Sequence, residues 1–214
     1  CKYSNITVFS FHPVKIITTA EGGMATTNDK DLARKMNLLK SHGITKNIDD
    51  FIGKDKSPWI YEQQILGFNY RMNEIQAALG LSQLKRLGTI VRKRNKLLRN
   101  YQNMMNDLPL SFLKIPENVK SSVHLCVILF KNFSKLEHIE IFKYLQANGI
   151  GVQVHYIPIY NQPFYRRMGF KRGYCPNAET YASSAISIPL FPGLSEDEQI
   201  YIVEKITKFI KYKK

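Results

Sequence analysis

Apolar and polar positions follow two different periods along this chain, and the change of period divides it. Near the start, ITVFSF (6–11) and GMATT (23–27) are short runs that predict strands flanking a loop. Asp29 predicts the cap of a helix from Asp31 to about Ser41, with Gly43 as its stop. Residues 44–64 are polar, carry Gly53 and Pro58 and hold the only tryptophan, Trp59, a composition that predicts a long loop or lid.

From Met72 the period becomes helical. Met72, Ile75, Leu79, Leu84, Leu87, Val91, Leu98, Tyr101 and Met105 recur at spacings dominated by three, four and seven. A helix of roughly 33 residues would span about 50 Å, enough to link two lobes, and Gly88 is where a break would fall. Its other face carries Lys85, Arg86, Arg92, Lys93, Arg94, Lys96 and Arg99, read as a solvated face ahead of a polyanion site. After Pro109 the pattern predicts a small α+β lobe. HLCVILF (124–130) reads as a buried strand, Leu136 to Asn148 as a helix stopped by Gly149, VQVHYI (152–157) as a second strand and AISIPL (185–190) as a third. Ser195, with Glu198 three residues on, forms a capping box for a last helix that ends in KYKK.

Composition narrows the class. A chain of 214 residues, 44% hydrophobic, can bury a core in one or two domains. No window reaches the length of an apolar membrane span and no signal-peptide pattern is present, so the expected compartment is the cytoplasm. Cys1, Cys126 and Cys175 form no close pair and the five histidines are scattered, so neither a disulfide framework nor a metal site is expected. The sequence opens on Cys1 and runs directly into a strand, the look expected of a fragment. A net charge of +14 favours anionic partners without choosing among phosphates, nucleotide-linked substrates, nucleic acid and acidic membranes.

The candidate chemistry lies in VFSFHPVKIITTAEGGMATT (8–27), around Lys15. A lysine that attacks a carbonyl must be partly desolvated or near other positive charge, so that its amine is neutral often enough to react. Phe9, Phe11, Val14, Ile16 and Ile17 offer apolar cover. Ser10, Thr18, Thr19 and the Gly22–Gly23 backbone are donors of the kind that hold a phosphate. A phosphorylated aldehyde meets both needs, whereas no Walker loop and no G-x-G-x-x-G is present.

SFHPVKIITTAEGGMATTN (10–28) strongly resembles the pyridoxal phosphate lysine segment of the DegT/DnrJ sugar aminotransferases. LGFNYRMNEIQAALGLSQLKRL (66–87) is similar to that family's second signature, and GVQVHYIPIYNQPFY (151–165) with AISIPLFPGLSEDEQ (185–199) is similar to its C-terminal lobe. The resemblance runs in order over nearly the whole chain. It implies an α/β architecture, an incomplete aminotransferase fold type I. Residues 1–70 would be the end of the large cofactor-binding domain, 71–108 a long connecting helix and 109–214 the small C-terminal α+β domain.

It also implies roles. Lys15 would carry pyridoxal 5'-phosphate and then move the proton of the transfer, Ser10 would hold the cofactor phosphate, and Asn69 would reach the phosphate in a neighbouring subunit. The active sites of a homodimer would thus be shared. Arg71 would pair with an anionic group such as the carboxylate of an L-glutamate donor, and His155 and Tyr156 would lie near the substrate. Within the family, PWIYEQQILGFNYRMNEIQAALG and VHYIPIYNQPFYRRMGF look most like the branch that aminates C4 of a UDP-linked 4-keto-6-deoxy-N-acetylhexosamine for pseudaminic acid and surface glycans. Lys15 argues against the related dehydratases, which carry histidine at that position. Family members also hold, ahead of the lysine, a phosphate loop, an aromatic that stacks on the cofactor and an aspartate for its ring nitrogen. None of these can be named in this chain, so the 214 residues alone are expected to be inactive. The competing readings are another nucleotide-sugar aminotransferase and a basic nucleic-acid-binding module; the favoured one has no nucleic-acid and no membrane partner.

Overall fold

The computed structural model describes residues 2–213, which fall into two units, one running to Leu87 and the other starting at Gly88. The first unit opens with β1 (Thr7–Ser10) and β2 (Gly23–Thr26), an antiparallel pair in which Ser10 faces Gly23 and Phe9 faces Met24. Helix α1 (Lys30–Lys40) follows, with the Asp29 carboxylate accepting the backbone N–H groups of Asp31 and Leu32. The helix stops where Gly43, at φ 69°, lets its N–H turn back to the Leu38 carbonyl.

The stretch expected as a bare loop contains structure. β3 (Ile44–Thr45) and β4 (Glu62–Gln63) pair antiparallel, and a single 3₁₀ turn spans Ile48–Asp50. The Glu62 carboxylate ties the intervening segment down by accepting the N–H groups of Ile52 and Gly53, and these bonds hold its pKa below the usual carboxylate range. Two-residue strands held by one side chain leave no periodic trace, which is why the pattern reads as loop.

The helical stripe is divided. α2 (Glu74–Lys85) starts with a capping box between Asn73 and Gln76 and ends at Arg86, and α3 (Leu87–Met104) begins at the next residue, just ahead of Gly88. The stripe is also unequal in burial. Leu98, Tyr101 and Met105 are buried, whereas Ile75, Leu79 and Leu84 are exposed and α2 buries no residue fully. The basic face needs one correction. Arg94 is buried, its guanidinium donating to the carbonyls of Val123, His124 and Leu190, while Arg92, Lys93, Lys96 and Arg99 are exposed.

The second unit is built on an antiparallel sheet in the order β5 (Leu110–Phe112), β6 (Cys126–Phe130), β7 (Ala185–Ile188). Cys126, Ile128 and Ile186 are fully buried in it, and α3, α4 (Lys135–Ala147) and α7 (Glu196–Tyr212) supply Leu98, Tyr101, Ile141, Leu145, Ile206 and Phe209 to the same core. Ser195 and Glu198 form the expected capping box, and Ser134 with Glu137 forms another on α4. Residues 152–157 do not make the expected strand. Only Gln153 bridges to the sheet, opposite Ser187, and the chain then leaves through Pro158 into a 3₁₀ turn and the short helices α5 (Pro163–Arg167) and α6 (Pro176–Ser184). Among the described residues, no helix is long and apolar enough to cross a membrane, and no group of three or more His, Cys, Asp or Glu is placed to hold a metal ion.

Candidate functional site

Lys15 sits in the loop that joins β1 to β2, and three backbone bonds fold that loop on itself. The Phe11 N–H donates to Gly22, the Thr19 N–H to Phe11 and the Lys15 N–H to His12. The Phe11 carbonyl takes a second bond, from the Thr18 hydroxyl, and the Thr19 hydroxyl donates to the Glu21 carbonyl. Thr18 and Thr19 therefore brace the loop, and their hydroxyl hydrogens are not offered to a phosphate as the sequence pattern suggests. Ser10, the last residue of β1, has an exposed side chain with no hydrogen-bond partner among the described residues.

The apolar cover is uneven. Lys15, Ile16 and Ile17 are partly buried, while Val14 is 62% exposed. The Lys15 amine has no ion-pair partner among the described residues. Below the loop, Thr19 is buried and packs on α2 at Gly80, where a Cβ would lie 2.8 Å from the Thr19 methyl carbon. The lysine loop is thus seated on the helix that follows the second predicted group of site residues.

That group lies at the C-terminus of α1. Phe68 and Tyr70 donate their N–H groups to Leu39 and Lys40, His42 donates to Phe68, and Asn69 bridges to Ser41. The Asn69 side chain is exposed, and the Arg71 guanidinium donates to the Ser41 hydroxyl at 3.3 Å. Stacked rings of Phe68 and Tyr70, 4.8 Å apart, flank Asn69 in the chain. Ser10, Lys15, Asn69 and Arg71 accordingly belong to the first unit.

His155 and Tyr156 belong to the second. The His155 ring is held at Nδ1 by the Ser187 hydroxyl at 2.8 Å and meets the Tyr156 ring edge-on, with 4.7 Å between centroids. Beyond them, the Tyr160 hydroxyl approaches the Glu179 carboxylate at 2.8 Å and accepts the Cys175 N–H, fixing the turn that carries the chain away. A hollow of about 700 Å³ on this unit, lined by Ile150, Pro189, Phe191, Leu194 and Tyr201 among others, includes none of the six predicted residues. Two contributors escaped sequence reasoning, Ser41 and Ser187. The signal for Ser187 is that it is the one polar residue in an otherwise apolar strand run, AISI.

The residues present fit a lysine-attached phosphorylated aldehyde at two points. They offer a partly buried amine on a braced loop, and, at the end of the preceding strand, an exposed hydroxyl without a hydrogen-bond partner among the described residues.

Comparisons agree with that chemistry. The model of the DegT/DnrJ/EryC1/StrS aminotransferase family matches residues 1–207. A UDP-4-amino-4,6-dideoxy-N-acetyl-beta-L-altrosamine transaminase of Campylobacter jejuni is 36% identical, over 97% of this chain and 54% of the relative. Among solved structures, Helicobacter pylori PseC, an aminotransferase involved in the biosynthesis of pseudoaminic acid, superposes with a TM-score of 0.88 at 35% identity, covering 98% of this chain and 54% of its own. A putative sugar aminotransferase of Streptococcus pneumoniae, Spr1654, solved in PLP and PMP forms, is 30% identical, with TM-scores of 0.88 and 0.89 and 98% of this chain covered against 52% and 54% of its own. The chain spans about half the length of the curated relatives it matches.

Proposed function

Since this chain belongs to the DegT/DnrJ/EryC1/StrS aminotransferase family, whose aminotransferases depend on pyridoxal phosphate, we propose that it carries the lysine half of a sugar-nucleotide aminotransferase. The substrate is a UDP-linked 4-keto-6-deoxy-N-acetylhexosamine that receives an amino group at C4, with L-glutamate as donor. The observation that carries the reading is the chain-wide likeness to PseC and to the altrosamine transaminase, which includes the Lys15 segment.

Bound pyridoxal phosphate supplies a conjugated ring that takes up the electron pair freed at the substrate carbon. This chain's residues do the rest. Lys15 Nζ anchors the cofactor, and once released it takes and returns the proton at the substrate carbon. Ser10 Oγ, without another hydrogen-bond partner among the described residues, donates to the phosphate. Asn69 serves the phosphate across the interface of a homodimer, and the planar fork of Arg71 pairs with a carboxylate such as that of the donor. His155 and Tyr156 bind the sugar nucleotide. The reaction is cytoplasmic, and the 214 residues alone do not turn over.

The test uses the complete protein. Reduction with borohydride in the presence of pyridoxal phosphate should leave a pyridoxyl adduct on Lys15 by peptide mapping, and the UDP-4-keto sugar with L-glutamate should yield the 4-amino sugar. An adduct confined to other lysines would remove Lys15 from the reading. Turnover of a different keto sugar only would favour another nucleotide-sugar aminotransferase of the family.

A further inference from the structure

The segment from α5 to α6 gathers positive charge that the fold does not spend. Residues 163–174 contain Arg166, Arg167, Lys171 and Arg172 and no acidic residue, and all four cations are exposed. Arg166, Arg167 and Lys171 have no ion-pair partner among the described residues. The carboxylate that reaches this segment, Glu179, is already committed: it accepts the Gly173 N–H at 2.7 Å and lies 2.8 Å from the Tyr160 hydroxyl. These bonds, the Gly173 one foremost, hold its pKa below the usual carboxylate range, and the Arg172 charge adds to the effect. Four like charges within seven residues repel one another, and a bound anion relieves that repulsion.

The segment keeps its shape without a ligand. Gly169 and Gly173, at φ 97° and 84°, turn the chain, and the Gly169 and Phe170 N–H groups close the end of α5 on the Arg166 and Tyr165 carbonyls. Tyr174 is held by two edge-on ring contacts, to Phe170 at 5.2 Å and to the buried Tyr160 at 5.6 Å, yet is 66% exposed. Phe170, Lys171, Arg172 and Tyr174 line a hollow of about 500 Å³, within the size range of small-ligand sites. Tyr160 also ties the hollow to the proposed site, since it follows Tyr156 by four residues, at most about 14 Å of chain.

We infer that residues 166–174 form a binding loop for a nucleoside diphosphate, in which Lys171 and Arg172 meet the diphosphate and the Tyr174 ring stacks on the base. Two adjacent cations match the charge of one diphosphate, and a rigidly held, exposed ring offers a face for stacking. A nucleic acid calls instead for cations spaced along a groove, whereas these come from one turn of chain. The inference rests on the proposed function for the sugar that the diphosphate carries.

Calorimetry of the complete protein with UDP and, separately, with inorganic pyrophosphate tests the loop. Lys171→Ala should weaken UDP binding about tenfold, the worth of one hydrogen bond to a charged group, and Lys171→Arg should restore most of it. Lys211→Ala, at an exposed cation on α7, should change it by less than about twofold. Tyr174→Ala should weaken UDP binding and leave pyrophosphate binding unchanged. Equal losses in Lys171→Ala and Lys211→Ala would overturn the inference in favour of a diffuse basic field. Binding of neither ligand would overturn it outright, and a Lys171→Ala loss seen only with single-stranded RNA would assign the loop to nucleic acid. Activity separates the loop from the reaction. Lys171-dependent UDP binding without turnover of the UDP-4-keto sugar would uphold the loop and strike the proposed reaction. Turnover whose KM Lys171→Ala leaves unmoved would overturn the loop and uphold the reaction.

Discussion

Lys15 differs from the other lysines of this basic chain in having a folded loop built around it. Thr18 and Thr19 spend their hydroxyls on the Phe11 and Glu21 carbonyls, so the loop keeps its form without help from a ligand. On the proposed reading, Lys15→Arg should lower turnover of the complete protein by at least about 10³-fold, the scale of a lost general acid–base group, because an arginine neither anchors an aldehyde nor gives up its proton. The melting temperature of the chain should stay within a degree or two, which separates chemistry from folding. The partial burial of the lysine was legible from its apolar neighbours, whereas the destinations of the threonine hydroxyls were not, since they depend on how the loop folds back. Buried groups allow a second prediction. Burial pushes the Cys126 thiol up to about 12 from an ordinary 9.0, and burial also raises the Tyr101 phenol. Between pH 9 and 12 the unfolded chain has lost the Cys126 proton while the folded one keeps it, so stability falls as pH rises. At pH 10 Cys126 should cost about 1 kcal/mol relative to pH 9, seen as a lower urea midpoint. Cys126→Ala, less stable at every pH, should show a shallower fall; an equally steep one would assign the effect to other groups.

At the scale of elements, caps and buried runs were legible because their causes are local. Asp29 and Ser195 each satisfy backbone donors within three residues, and CVILF is buried wherever it is placed. The failures share a different cause. Residues 152–157 have a strand's composition, but beyond the Gln153–Ser187 bridge the chain turns off toward the Tyr160–Glu179 hub and makes no further ladder. The β3–β4 pair was invisible because the long-range Glu62 side chain holds the segment between its strands. Gly80 shows how one element supports the site in another. A side chain there would meet Thr19 below the lysine loop, so Gly80→Val should displace that loop while α2 itself gains little strain. The expected result is a several-fold slower borohydride trapping at Lys15 in the complete protein, with helix content by circular dichroism unchanged. Trapping at the original rate would show that the loop does not depend on its seat.

For the molecule as a whole, the division of apolar surface separates the two units more sharply than the chain pattern does. Among the described residues, all of the buried hydrophobic side chains lie between Leu97 and Ile210. The first unit buries none among its described residues and leaves Leu66 88%, Ile75 84% and Val8 76% exposed. The same apolar periodicity thus has two meanings. From Leu97 onward it describes a closed core, and before that it describes surface that needs cover, which a stripe of hydrophobic residues cannot distinguish. Exposed apolar area on this scale marks a region that does not stabilise itself, since burial of such area is the main force opposing chain entropy. Residues 88–214, expressed alone, should therefore unfold cooperatively in urea and protect the amides of β6 and β7 from exchange. Residues 1–87 alone should show no cooperative transition and should associate as concentration rises. A cooperative, monomeric 1–87 would mean that its hydrogen-bonded loops and capped helix suffice without a hydrophobic core. Loss of cooperativity in 88–214 would mean that its core depends on the first unit.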